Sequence, residues 1–499
     1  MITNIYLSIY FIIILITYYL NKKNINLFIL KALIITFLTN DLIRIITIDL
    51  NKNIFLFFLK DIILTILLFI IFLLIKKNKI IFNKKTIFFS LIFFIIVLSS
   101  YSSSISYNNL LLLISGSYDL LFYPFLILIV IFLVKKISDL DNLEKFFLIL
   151  NIVLLSILFV QLFDNNLFLK LILNTRDTDN FANHSSEFHR IKNLMFQGKY
   201  STSEDKIDII VPSIIFSNPG RYGHYILANF LISLFFFVRK KNYINIFSLL
   251  ISFTLVIFSS QRASIYLSFL VIIFCFLNKK NLLFFMKRLN IYRKSIFIFC
   301  AMLAICIVFI NFYNFNLYYK FSKKIYNIYE PITNSFDKKY EDTPASFKGR
   351  LLITSNDLYD LYLKKEINTM QILFGNGFGT HSLGTKTLVK KLFNEDYEPY
   401  KHFFYEQHIS TILYDVGLFG LLLYCSFFLY LNFFIKKKLK QEKLPKDIGK
   451  FVFITTITPL ILLNTGYQFT HDYIFQFFYY LLIGLILVSI KITKKNVRY

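Results

Sequence analysis

Long apolar stretches recur along the whole chain and alternate with short polar stretches that are rich in lysine. Apolar stretches of this length are typical of helices that cross a hydrocarbon core about 30 Å thick. The stretches that predict membrane helices are residues 5–20, 25–48, 54–75, 86–100, 112–134, 143–163, 222–238, 246–260, 263–278, 295–311, 408–434, 451–464 and 473–490. The pattern therefore predicts an all-α polytopic integral membrane protein with about 12–14 transmembrane helices.

The composition agrees with this prediction and excludes a soluble domain. The chain has 499 residues, of which 56% are hydrophobic and 19% aromatic, with only 14 Gly and 8 Pro. The first apolar stretch, residues 5–20, lacks a basic lead and a small-residue cleavage site, so we interpret it as a retained helix. All cysteines lie within apolar stretches and fit no metal-ligand spacing; they are Cys275, Cys300, Cys306 and Cys425.

The net charge of +26 is concentrated in the junctions between apolar stretches. A bilayer surface explains these short clusters better than nucleic acid does, so we expect membrane lipids and no nucleic acid as partners. The basic junctions occupy alternate positions along the chain, at residues 21–24, 76–85, 135–142, 239–242, 278–294, 435–446 and 491–498. By the positive-inside rule all of them are cytoplasmic, which places the N-terminus outside and the C-terminus inside.

This topology leaves two long polar stretches on the outer side. Residues 164–221 form one outer loop, and residues 312–407 form a larger one with short helices, ahead of the last membrane helices. Neither carries a signal of an independent domain, so residues 1–499 are predicted to form a single integral membrane domain. The seven histidines all fall on the outer side or at a helix end that faces it; they are His184, His189, His224, His381, His402, His408 and His471.

Two arginines stand at helix starts on the predicted outer face. The stretch "NPGRYGHYILAN" (218–229) places Arg221 at the start of a helix, and "SSQRAS" (259–264) places Arg262 where two short helices meet. An unpaired cation at membrane depth costs about 2.5–3.5 kcal/mol on insertion scales. We therefore expect Arg262 either to pair with an anionic ligand or to extend to the phospholipid head groups.

The large outer loop and the helix after it contain further candidate stretches. "KGRLLITSNDLYDLYLKK" (348–365) predicts an amphipathic helix opened by Arg350, a position where a cation opposes the helix dipole and so favours an anionic partner. "ILFGNGFGTHS" (372–382) predicts a glycine-rich turn, and "YEQHISTILYDVGLFGLLLY" (405–424) places a polar cluster directly before a helix.

In their order and placement, these stretches resemble the O-antigen ligase and polymerase superfamily of bacterial envelope glycosyltransferases over roughly residues 210–425. The family's Ser-Arg-small motif is similar to "SQRAS", in which a glutamine precedes the arginine. The other matching positions are Gly349 and Arg350 for a Gly-Arg helix start, Gly375, Gly377, Gly379 and Thr380 for a glycine turn, and Asp415, Gly417 and Gly420 for an acidic residue followed by Gly-x-x-Gly.

One departure from the family pattern concerns its His-Asn pair. Counted back from Gly417, these positions hold Glu406 and Gln407, and the nearest histidine, His408, comes two residues late. This departure favours a polymerase over a ligase. Two residues on a regular helix correspond to about 200° of rotation, so Glu406 and His408 cannot both face the same cleft. They are alternatives for the base that would take the proton of the acceptor hydroxyl in the family's glycan transfer.

The resemblance implies a GT-C-like fold and an active site facing the periplasm in the bacterial cytoplasmic (inner) membrane. The implied reaction transfers a glycan from undecaprenyl pyrophosphate to the hydroxyl of another lipid-linked repeat. Arg262 and Arg350 would stabilise the leaving pyrophosphate, so we expect no cofactor and no metal. Arg221, His402, Gly377 and Gly379 complete the predicted substrate contacts, and a chain-length regulator protein is an implied partner.

Three other interpretations are weighed against this one. An O-antigen ligase would use lipid A core or protein as the acceptor and share the rest of the site. A flippase or transporter would carry charges through its helices and show inverted repeats; the early helices do contain some charges, at Lys31, Asp41, Arg44, Lys60 and Asp61. The carboxylate pairs "DTD" (177–179) and "DLD" (139–141) resemble metal sites of other glycosyltransferases, but we expect a solvated loop for the first and a cytoplasmic position for the second.

Overall fold

The computed structural model describes residues 2–48, 62–67, 69–70, 123–163, 216, 219–259, 262–276, 369–375, 408–441, 446–462 and 472–497. Every regular element within these ranges is helical, including the partly described segments 62–67 and 69–70. The α-helices in chain order are α1 (Ile2–Asn21), α2 (Ile25–Ile48), α3 (Leu126–Leu133), α4 (Ile137–Phe163), α5 (Pro219–Arg239), α6 (Tyr243–Phe258), α7 (Arg262–Phe276), α8 (Thr369–Phe374), α9 (His408–Gln441), α10 (Lys446–Ile461) and α11 (Tyr473–Val497). A single 3-10 turn, Tyr123–Phe125, precedes α3.

Four of the described helices contain segments that are long and apolar enough to cross a membrane. These segments are Ile137–Gln161, Arg221–Arg239, Asp415–Lys440 and Tyr473–Ile492. The prediction of an all-α protein is confirmed for the described residues, and these segments agree with a helical membrane protein. Several predicted features lie outside the described residues: the helices near 86–100 and 295–311, the amphipathic helix 348–365 and most of both outer loops.

Some helix boundaries differ from the predicted ones for identifiable reasons. Helix α9 continues to Gln441 and α11 to Val497, each through a lysine-rich tail. Lysine is a good helix former, so these helices extend past their apolar segments without a break. Within the predicted helix 112–134, Pro124 occupies the 3-10 turn ahead of α3. Proline lacks an N–H and its fixed φ suits a first turn, which explains the irregular entry into α3.

Helices α5 and α11 form the centre of the described bundle. Of their apolar segments 83% and 89% is buried, against 33% for each of α4 and α9. Tyr225 of α5 packs edge-on against Phe478 of α11 with ring centroids 4.8 Å apart. Both residues belong to the second turn of their helices, so α5 and α11 start at the same end of the bundle. On α4 and α9, apolar side chains such as Ile149 and Phe433 are exposed, as expected for helices that contact lipid.

Three of the basic junctions lie at the opposite end of the bundle. Asn24 donates to Asp139 at 2.8 Å, and Arg239 donates to Asp141 at 2.6 Å and to Glu144 at 3.0 Å. Junctions 21–24, 135–142 and 239–242 therefore meet at one end, which we call the basic end. This agrees with their predicted assignment to one side of the membrane.

The "DLD" pair at the basic end has structural roles. Asp139 accepts hydrogen bonds from the backbone N–H groups of Lys135 and Lys136 at 3.0 and 2.9 Å, which ties down the chain ahead of α4. Asp141 pairs with Arg239. Both carboxylates thus bind donors of this chain at the basic end.

Lys31, one of the charges in the early helices, also belongs to the basic end. Its ammonium group donates to Asn21 Oδ1 at 3.1 Å and lies 5.5 Å from the centroid of the Phe146 ring. Asn21 ends α1, directly beside the junction that reaches Asp139. The lysine stem therefore follows apolar surface while its charged group extends to the polar end of the bundle.

A buried polar cluster joins α4, α5 and α6 within the bundle. Asn151 donates to Ser248 Oγ at 2.9 Å and to Ser233 Oγ at 3.2 Å, and Asn229 donates to the carbonyl oxygen of the Asn151 side chain. All four side chains are buried. In an apolar setting such interhelical hydrogen bonds contribute about 0.6 kcal/mol each on average, so we assign this cluster to helix association.

Candidate functional site

Three helices, of which α5 and α7 carry candidate residues, begin side by side at the end of the bundle opposite the basic end. Ser264, in the first turn of α7, donates to the backbone carbonyl of Gly223 in the first turn of α5 at 2.9 Å. His224 of α5 contacts Asp472, the residue directly before α11. We call these three helix starts, residues 219–224, 262–264 and 472–473, the motif end.

Local sequence explains why these helices start here. Pro219 is the first residue of α5, where its missing N–H and fixed φ cost nothing. Asp472 caps α11, because its Oδ1 accepts from the backbone N–H groups of Ile474 and Phe475 at 3.0 and 3.2 Å. Tyr222 donates to the carbonyl of Leu255 at 3.2 Å, which holds the end of α6 against the start of α5.

Arg221 lies in the first turn of α5, at the motif end, and the structure shows a neighbour for it. The centre of its guanidinium group is 5.3 Å from the centroid of the Tyr473 ring, within cation–π range. The Tyr473 hydroxyl in turn accepts from Asn40 of α2 at 2.9 Å. The ring that supports Arg221 is thereby fixed between α2 and α11.

His224 lies on α5 one turn after Arg221 and pairs with Asp472, the residue directly before α11. The sequence analysis did not identify this pair. His224 Nδ1 contacts Asp472 Oδ2, and the two side chains are 13% and 5% exposed. The residues are 248 positions apart, so no local spacing links them. The only sequence signals were the position of His224 three residues after Arg221 and the placement of all histidines on one face.

A second contact joins the glycine turn to the helix that carries Gly-x-x-Gly. Gly375 follows α8 with φ of +82°, and Gly417 interrupts α9 with φ of +65°. A Cβ atom on Gly375 would lie 2.4 Å from the backbone carbon of Asp415, so only glycine allows this approach. Phe374 and Phe419 stack beside it with ring centroids 5.4 Å apart.

Ring contacts orient α9 relative to the rest of the bundle. Lys436, near the end of α9, lies 4.1 Å from the ring centroid of Phe453 in the first half of α10. Phe451, two residues earlier, packs against Phe235 near the end of α5 at 6.2 Å. The end of α9 therefore lies toward the basic end, and its start, with the glycine contact, lies toward the motif end.

The remaining predicted site residues are described in part or not at all. Arg262 is the first residue of α7 and His408 the first of α9, but their side chains lie outside the described part of the chain. Arg350, Glu406, His402, Gly377 and Gly379 also lie outside the described residues; their roles stay predictions.

The motif end combines groups suited to anion binding and to proton transfer. Three helix N-termini and the Arg221 guanidinium favour negative charge, and a histidine held by a carboxylate is a usual proton acceptor. Among the described residues, no three or more His, Cys, Asp or Glu side chains are grouped so that they could hold a metal ion.

Comparisons of the chain with models of known protein families, with curated proteins and with solved structures each found no match.

Proposed function

We propose that the protein is an O-antigen-type polysaccharide polymerase. It transfers a glycan from undecaprenyl pyrophosphate to the acceptor hydroxyl of another lipid-linked repeat. The observation that carries this proposal is pairwise contact between stretches that resemble the family. Stretch 259–264 is bonded to stretch 218–229 through Ser264 and Gly223, and stretch 372–382 packs on stretch 405–424 through Gly375 and the backbone at Asp415.

In this proposal the cations of the motif end bind the pyrophosphate. Arg262 begins α7 two residues before Ser264, whose bond to Gly223 places the first turn of α7 beside that of α5. Arg221 belongs to the same turn of α5 as Gly223. Arginine suits a leaving pyrophosphate because its planar fork meets two phosphate oxygens and keeps its charge when desolvated.

The large outer loop supplies the remaining predicted groups. Arg350 adds a further pyrophosphate cation, His402 contributes to substrate binding, and Gly377 and Gly379 let backbone amides approach the donor. Arg262 and Arg350 replace the divalent cation that many glycosyltransferases use, so the proposed reaction is metal-independent. A chain-length regulator protein remains the proposed protein partner.

The proposed location is the bacterial cytoplasmic membrane, with the motif end facing the periplasm. The charge is asymmetric: Lys135, Lys136, Arg239 and Lys240 all lie at the basic end, and the positive-inside rule assigns such an end to the cytoplasm. The lipid-linked donor is then reached from the outer leaflet.

The alternatives are an O-antigen ligase and a transporter of lipid-linked glycans. The ligase shares every described contact and differs in its acceptor, lipid A core or protein. The transporter is weakened by Lys31, because this charge of α2 donates to Asn21 at the basic end and so does not mark a path through the middle of the bundle.

A deletion strain tests the proposal. A polymerase predicts lipid cores that carry single repeats, whereas a ligase predicts cores without attached glycan. An unchanged surface polysaccharide profile would contradict both. Complementation with the wild-type protein should restore long chains. Lys240→Ala, a change at the exposed side of the basic end, should restore them as well. Complementation with Arg262→Ala should not.

A further inference from the structure

We propose that His224 takes the proton of the acceptor hydroxyl, with Asp472 as the residue that positions it. This inference rests on the proposed glycan transfer and assigns one of its steps. It assigns the role of base to His224 in place of Glu406 or His408.

The position of His224 is fixed from several sides. Its Nδ1 contacts Asp472 Oδ2, and the ring lies edge-on to Phe475 with centroids 6.4 Å apart. Asp472 is itself held, since its other oxygen accepts from two backbone N–H groups of α11. A base whose orientation is set by a third group is the arrangement that nucleophile and acceptor activation requires.

The contact with Asp472 also determines which nitrogen is basic. A carboxylate only accepts hydrogen bonds, so Nδ1 carries the hydrogen of the neutral imidazole. The lone pair is then on Nε2, at the far side of the ring from Asp472. When Nε2 takes a proton, the nearby carboxylate stabilises the resulting imidazolium.

His224 stands next to the groups proposed to bind the donor. It follows Arg221 by three residues, so both side chains lie on one face of α5, and both reach the start of α11. Its chain neighbour Gly223 is bonded to Ser264, two residues after Arg262. The His224 side chain is largely buried, and 13% of it remains exposed.

The step is balanced without a further reactant. The acceptor oxygen forms a bond to the anomeric carbon of the incoming glycan, and the bond from that carbon to the phosphate oxygen breaks. The electron pair of the broken bond leaves with undecaprenyl pyrophosphate. The hydroxyl proton moves to Nε2 of His224 and is then released to water, which restores the neutral imidazole.

The test uses the purified full-length protein in lipid nanodiscs, with undecaprenyl-pyrophosphate-linked repeats as substrate. His224→Gln should lower kcat by about 10²-fold or more, with KM little changed, because the proton acceptor is lost and the cations remain. Asp472→Asn keeps a good helix cap and removes the carboxylate, so it should lower kcat while the melting temperature stays near that of wild type. His189→Gln, in the outer loop 164–221, is the matched histidine control.

The double variant separates a positioning role from a structural one. His224→Gln combined with Asp472→Asn should be no slower than His224→Gln alone, because the pair acts as a unit. Additive losses, or an equal loss from His189→Gln, would overturn the assignment, as would Glu406→Gln or His408→Gln with a larger fall in kcat than His224→Gln. A wild-type protein that makes no polymer would overturn the proposed function and this step together.

Discussion

The backbones of Gly375 and Gly417 lie so close together that a Cβ atom on Gly417 would come within 2.6 Å of the Gly375 nitrogen. This approach ties the glycine turn after α8 to the kink in α9. Both glycines have φ in the left-handed region, +82° and +65°. The contact is therefore sensitive to any side chain at either position.

Gly417→Ala is expected to destabilise the protein and to abolish polymer formation. The left-handed backbone alone costs a non-glycine residue on the order of 1–3 kcal/mol, and the new methyl group would collide with the backbone of Leu373. The measurement is the melting temperature of the purified protein together with its polymerising activity.

The matched control for this prediction is Gly449→Ala in α10. A Cβ atom there would meet nothing within 4 Å, and alanine is the better helix former by about 1 kcal/mol. Gly449→Ala should therefore retain both stability and activity. If Gly417→Ala behaves like Gly449→Ala, the close approach of the two glycine segments is wrong.

At the basic end, Arg239→Gln should lower stability strongly. It removes the cation that Glu144, which is 3% exposed, shares with Asp141, and leaves Glu144 with the neutral donor Asn242 at 2.8 Å. Loss of one member of a buried ion pair costs about 3–5 kcal/mol, because the other charge stays buried. Thermal unfolding of the purified variants in one detergent measures this.

Lys240→Gln is the control, since Lys240 is 53% exposed and lies 3.6 Å from Asp141. Exposed pairs contribute about 0–1 kcal/mol, so its melting temperature should stay close to that of wild type. Equal losses from Arg239→Gln and Lys240→Gln would contradict the buried network at this end.

Periodicity and charge predicted the helices that the structure describes and the meeting of three basic junctions, for physical reasons. A membrane helix needs a long apolar stretch, and cationic residues mark its cytoplasmic end, so both are local signals. Arg239 and Asp141 were placed on the same side in this way, and the structure brings them into contact. The direct pairing of Arg239 with Asp141 could not be predicted from these local signals.

The candidate site was predictable only in part. Arg221 and "SSQRAS" were identified because arginine in an apolar setting is unusual, but the contact between Ser264 and Gly223 was not predicted. Asp472 was missed because its role depends on a histidine 248 residues away. A buried carboxylate that caps a helix has the same sequence signature whether or not it also holds a histidine.

Orientation in the membrane is tested with alkaline phosphatase fusions. Alkaline phosphatase is active only outside the cytoplasm, so a fusion after His381 in the large outer loop should be active. A fusion after Lys440, in the last turns of α9, should be inactive. The reverse pattern would place the motif end in the cytoplasm, where it could not contact a lipid-linked donor in the outer leaflet.

Chelation tests the proposed role of the arginines. Polymer formation by the purified protein should survive EDTA, because Arg262 and Arg350 are proposed to balance the pyrophosphate charge. Loss of activity on chelation, restored by Mg²⁺ or Mn²⁺, would argue for a metal site and direct attention to the acidic residues Asp177 and Asp179 of the outer loop.

The most direct measurement is polymer formation from purified undecaprenyl-pyrophosphate-linked repeats by the full-length protein in nanodiscs, read as a ladder of chain lengths. Wild type and Arg288→Ala, a change in the predicted cytoplasmic junction 278–294, should both give the ladder. Arg262→Ala should give none, and Arg262→Lys only a weak one, because a point charge lacks the bidentate geometry of arginine. Absence of polymer from the wild-type protein, or a full ladder from Arg262→Ala, would contradict the account.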